Sequence, residues 1–166
     1  MMFPFSLLVL SIVCIAINYF RNSRPRTFRL FTEVSLRFLV LINTGLGGIL
    51  AFMGHAFNPD GIARNIGWET GSPFQFEVAA ANLAFGIVGI ASFWIGGTFR
   101  IAAATANALF LLGCGYGHLR DILLQGNTSP LNAGAVLWIS DIIFPLVLLL
   151  LALLDFKRLN RASFIR

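Results

Sequence analysis

Charge is what this chain has least of. Only 11% of its 166 residues are Asp, Glu, Lys or Arg, against about 25% in soluble domains. With 57% hydrophobic residues and a mean hydropathy of +0.82, that scarcity excludes a soluble globular protein and marks an integral membrane protein. Cysteine is nearly as rare. Cys14 and Cys114 both fall inside apolar runs, which excludes a disulfide framework or a zinc knuckle. There is no HExxH pattern, no internal repeat and no low-complexity segment. The net charge of +5 lies beside hydrophobic runs, where anionic lipid and topology account for it, so no nucleic acid is expected as a partner.

What is present is a series of apolar runs, each about the 20 residues that one helical crossing needs. Runs at about 3–20, 30–57, 76–99, 101–125 and 133–154 predict an all-α polytopic membrane helical bundle, a single transmembrane domain of five helices over 1–166. The first run precedes Arg21, Arg24, Arg26 and Arg29 and shows no small-residue cleavage pattern, so it reads as a retained helix. Arginines clustered in short loops mark the cytoplasmic side. Those four, Arg100, and Lys157, Arg158, Arg161 and Arg166 agree on an N-terminus outside and a C-terminus in the cytoplasm, most simply in a bacterial inner membrane.

One stretch breaks the apolar pattern, MGHAFNPDGIARNIGWETGSPFQFE, from Met53 to Glu77. Asn58 and Pro59 predict the start of a short interfacial helix between helices two and three, and Gly67 its end. Ser72, Pro73 and Gln75 predict a capping box opening helix three. Small residues at Asn43, Thr44, Gly45, Gly47, Gly48 and Ala51 predict a close helix-packing face, and Gly113 and Gly117 repeat the signal in GxxxG form. Through such Gly/Ala-rich faces the chain is expected to meet a membrane-protein partner or a second copy of itself, besides the lipid bilayer. Glu33 and Arg37, spaced i,i+4, are expected to pair.

The ionisable residues converge at one depth. His55 ends helix two and Glu77 starts helix three, while His118 and Asp121 lie near the end of helix four and Asp141 lies in helix five. At ~1.5 Å per residue, His118 and Asp141 sit roughly 10 and 13 Å below their helix ends, where an ionisable group is costly unless partnered. His55, Glu69, Glu77, His118, Asp121 and Asp141 are therefore the candidates for a polar pocket open to the outer face. Among them His55, Glu77, His118 and Asp141 form a ligand set that suits a divalent transition metal. Pro145 removes the amide that would bond the Asp141 carbonyl, leaving a free acceptor beside a carboxylate.

Three functions fit these residues. One is metal or small-polar-ligand binding, with redox or hydrolytic chemistry. A second is an accessory or assembly subunit of a larger membrane complex. The third is a small-solute or proton transporter. The bland alternative is a buried polar network in which Arg64 or Arg120 neutralises Glu77, Asp121 or Asp141. Asp60 and Glu69 also read as solvated loop charges, and Trp68 and Trp138 as interface anchors.

The strings GHAF, IGWETGSPFQFE (Ile66 to Glu77), GHLRD and GNTSPLNAG together resemble a bacterial family of small integral membrane proteins of unknown function. The resemblance runs from about Gly54 to Pro145 and leaves out the first helix. It implies that His55, Glu69, Glu77, His118 and Asp141 belong to shared motifs, and it carries no activity. A weaker likeness to the DoxX-like membrane proteins, in span count and glycine-rich helices, implies redox association without a supporting motif.

Overall fold

In the computed structural model, which describes residues 3–163 and the side chains of 5–160, the elements are helical. Helix α1 is Phe3–Arg21. Helix α2 runs Phe28–Phe57, with a π-helical segment Val40–Leu46 at its centre. The short α3 is Pro59–Ile66, α4 is Phe74–Ile95 and α5 is Gly97–Gln125. Helix α6 opens on a second π-helical segment, Leu137–Ile143, and continues as Phe144–Ser163. α2, α4, α5 and α6 are long and apolar enough to cross a membrane; α1 is apolar over a shorter length.

The helix ends follow from local chemistry. Thr27 caps α2, its hydroxyl accepting from the Leu30 amide at 3.2 Å. Gly67 ends α3 at φ 84°, a left-handed conformation that favours glycine. Only half of the predicted capping box forms: the Ser72 hydroxyl accepts from the Phe74 amide at 3.3 Å, but Gln75 does not reach back to the chain. α4 starts at Phe74, and Gln75 is buried, its amide turned into the bundle rather than back to the chain. α4 stops at Ile95, short of the expected Phe99, because Gly96 at φ 67° turns the chain straight into α5. The first turn of α5 then brings Arg100 back over the end of α4. Its guanidinium donates to the Ser92 carbonyl, which also accepts the Gly96 amide, and to the Phe93 carbonyl at the helix end.

α2 and α4 make the closest helix pair, backbone against backbone. A methyl group on Gly89 would lie 2.7 Å from the Gly45 nitrogen, and one on Gly48 would lie 2.8 Å from the Gly86 nitrogen. Glycine at these positions replaces side-chain interdigitation with direct main-chain contact. The predicted face on α2 is thus real at Gly45 and Gly48, whereas Gly47 faces Leu7 of α1. The Gly113/Gly117 signal is not used among the described residues. Both glycines are exposed with no neighbouring atom within 4 Å, and it is the intervening Gly115 that meets α6.

Where α2, α5 and α6 meet, Leu36, Val40, Ala104, Ala108 and Leu148 form the apolar core. Two polar pairs pin the helices nearby. The Thr44 hydroxyl donates to Asn107 Oδ1 at 2.8 Å, and the Asn43 amide donates to the Ser11 hydroxyl at 2.6 Å. Both α2 partners lie in its π-helical segment, whose wider turn sets them off the regular helical phase.

Candidate functional site

At the end of the bundle that carries α3, the loop between α5 and α6 folds over the end of α3 and fastens to it. Asn127 donates through its side-chain amide to the Ile66 carbonyl at 2.8 Å and to Asp121 Oδ2 at 2.6 Å. The Leu131 amide donates to the Asn65 carbonyl at 3.1 Å. Asp121 also accepts from the Trp68 indole at 3.2 Å. Gly67 is the hinge of this clasp, since a methyl group there would strike the Ser129 hydroxyl and the Asn127 amide. Gly67→Ala adds left-handed strain to that collision and is expected to destabilise the protein by about 1–3 kcal/mol. Thermal unfolding of the purified variant measures this, and an unchanged midpoint would show that the clasp is slack.

Beneath the clasp lies His118. Trp68 stacks on its ring, centroids 5.6 Å apart and planes 16° from parallel. Its Nδ1 is 2.7 Å from Asn132 Oδ1, and Asn132 is wholly buried. The Asn132 amide nitrogen donates to the Asn127 carbonyl at 2.7 Å. That bond orients the amide with its oxygen toward His118, so Nδ1 carries the proton and Nε2 is left facing Asp141. The Nε2 to Asp141 Oδ2 distance is 4.0 Å, an ion-pair separation too long for a hydrogen bond.

Asp141 stands in the π-helical opening of α6 and is 8% exposed. Pro145 deprives its carbonyl of the usual helical donor. Gly115 of α5 accommodates that carbonyl, which a side chain there would meet at 3.0 Å.

The sequence-derived candidates divide at this point. His118, Asp121 and Asp141 come together around the clasp. His55 is half-buried and engages Gln75, its Nδ1 at 2.7 Å from Oε1. Glu69 and Glu77 are exposed. Among the described residues no group of three or more His, Cys, Asp or Glu is placed to hold a metal ion, so the tetrad His55, Glu77, His118 and Asp141 is not assembled. Arg64 and Arg120 are exposed too, and Asp121 is held by the neutral donors Trp68 and Asn127 instead of a guanidinium. Asp60 does more than face water: it accepts from the Gly71 amide at 2.9 Å, tying α3 to the segment before α4.

A second charged cluster, unforeseen in the sequence, closes the opposite end. Glu33 of α2 pairs with Arg24 at 3.2 Å and with Arg158 of α6. Arg158 also pairs at 2.9 Å with Asp155, which is 1% exposed. The expected Glu33–Arg37 pair does not form; Arg37 lies over the Phe93 ring, 4.0 Å from its centroid. Asp155 sits at the start of a basic tail, and only its spacing of two turns from Leu148 and four turns from Asp141 hinted that it faces inward.

Apolar helices of spanning length and glycine-mediated backbone packing, with charged clusters at the bundle's two ends, mark a helical membrane protein that carries a histidine–aspartate pair near a tryptophan. The chain belongs to DUF6790, a family of unknown function whose model matches residues 1–161. The match takes in the first helix, which the motif resemblance left out. No curated protein and no solved structure matches the chain.

Proposed function

We propose that this is a five-span protein of the bacterial inner membrane whose outer-face pocket binds a small polar ligand and exchanges a proton with it through His118 and Asp141. The end of the bundle with Arg24, Arg26, Arg29, Arg37, Arg100 and Arg158 carries the charge bias of a cytoplasmic side, which supports an N-terminus outside and the clasp facing outward. The observation that carries the function is the arrangement around His118. One ring nitrogen is committed to Asn132, while the other faces a buried carboxylate across 4.0 Å. A pair so placed shares one proton, held on imidazole or carboxyl, and a hydrogen-bonding ligand between the two accepts or supplies it. Trp68, stacked on the His118 ring, shields the imidazole on that side.

Infrared difference spectroscopy between about pH 5 and pH 8, the range in which imidazole ordinarily titrates, tests the shared proton. A protonated-carboxyl band that is lost in Asp141→Asn and displaced in His118→Gln is expected. Absence of such a band, or its survival in Asp141→Asn, refutes the reading.

A second reading, an accessory subunit of a membrane complex, is favoured by the outward-facing Gly113, Tyr116 and Gly117 on α5, a small-residue face with no partner within the described chain. Pull-down in mild detergent decides it: Gly113→Leu should release a stoichiometric partner, and a free monodisperse wild type counts against it.

A further inference from the structure

α1 leans on α2 and leaves a gap toward α6. The gap is a groove of about 520 Å³, floored by Leu39 and walled by Ile12 and Ala16 of α1 and by Ile143 and Val147 of α6. That volume is in the ~300–1,000 Å³ range of small-molecule sites. Two features separate it from an ordinary lipid-facing surface. Ser35 borders the groove and is 4% exposed, and its hydroxyl, buried just behind the apolar wall, has no hydrogen-bond partner among the described residues. A buried hydroxyl without a partner is unfavourable in an apolar setting, and a ligand acceptor would satisfy it.

The other feature is the mouth, which is aromatic and basic. Tyr19 meets Phe20 and Phe31 edge to face at 5.5 and 5.8 Å, and all three border the groove. Arg26 lies 5.5 Å from the Phe20 centroid and donates to the Phe20 carbonyl. Arg24 and Arg158 are engaged by Glu33, and Arg158 also by Asp155, whereas Arg26 has no carboxylate partner among the described residues.

We infer that this groove holds one chain of an anionic lipid. The tail lies between α1 and α6, and the headgroup phosphate sits against Arg26. Ser35, one turn or ~6 Å along α2 from Phe31, donates to the ester carbonyl that joins tail to headgroup. Excess positive charge at the mouth selects the anion, and the apolar walls select the chain.

Native mass spectrometry of the protein in nonionic detergent, titrated with phosphatidylglycerol or phosphatidylcholine of identical acyl chains, tests this. One phosphatidylglycerol should be retained per protein, about fivefold over phosphatidylcholine for a single guanidinium. Arg26→Gln should abolish the preference. Ala16→Trp, or Val147→Trp if the first does not fold, should abolish retention of both lipids. Equal retention of the two lipids by wild type, a preference that survives Arg26→Gln, or undiminished retention in the groove-filling variant would each overturn the inference. Displacement of the lipid by inorganic phosphate would also overturn it, because that would leave a headgroup site with no chain in the groove.

Discussion

Gly89→Ala is expected to cost the protein about 2–3 kcal/mol, near the top of the range for overpacking a well-filled contact. The added methyl meets the Gly45 nitrogen at 2.7 Å and its Cα at 2.8 Å. Main-chain atoms in the middle of a helix cannot rotate aside, so relief requires α2 and α4 to separate along their whole contact. Gly48→Ala should behave similarly, since its obstacles are the Gly86 nitrogen and the Asn82 carbonyl at 2.8 Å. Gly113→Ala, with nothing within 4 Å, serves as the control and should leave stability unchanged or raise it by up to about 1 kcal/mol. Thermal or denaturant unfolding in detergent reads all three. Equal stability of Gly89→Ala and wild type would mean that the two backbones are not in contact.

Arg158→Ala is expected to be still more damaging, by about 3–5 kcal/mol, the cost of stranding a buried charge. The substitution removes the partner of Asp155, which is 1% exposed, and one of the two partners of Glu33. The loss should belong mostly to Asp155. Asp155→Leu combined with Arg158→Met takes out both charges and keeps the volume, and it should recover most of the stability. If the double variant is as unstable as the single one, Arg158 acts through packing of its alkyl stem and the ion pair contributes little.

Much of the fold was readable because membrane helices announce themselves in one dimension. Length and apolarity located α2, α4, α5 and α6, and Gly67 ended α3 as expected because the turn there takes positive φ. The candidate site was half readable. Buried ionisable groups stand out in an apolar sequence, which found His118, Asp121 and Asp141. The neutral amides that organise them did not stand out. Gln75 resembled a capping residue, and Asn127 and Asn132 resembled loop residues. Their roles depend on partners up to 61 positions away, as with Asn127 and Ile66.

Glu77 was misplaced by helical phase rather than depth. Gln75 and Ala79 are buried, and a residue two positions from either lies roughly 200° around the helix, on the outer surface. The expected Glu33–Arg37 pair failed for a related reason. A local pair at i,i+4 contributes only about 0.2–0.5 kcal/mol, and the tertiary partner Arg158, 125 positions away, outcompetes it.

The clasp between α3 and the α5–α6 loop also has a bearing on the order of folding. Its contacts join residues from Asn65 to Trp68 with residues from Asp121 to Leu131, which are remote in sequence and separated by two long helices. Each helix satisfies its own backbone on entering the bilayer, and association follows. The clasp therefore closes only after α4 and α5 have paired and brought the α5–α6 loop back over α3. The histidine–aspartate pair, whose carboxylate comes from α6, is completed only when the last helix packs.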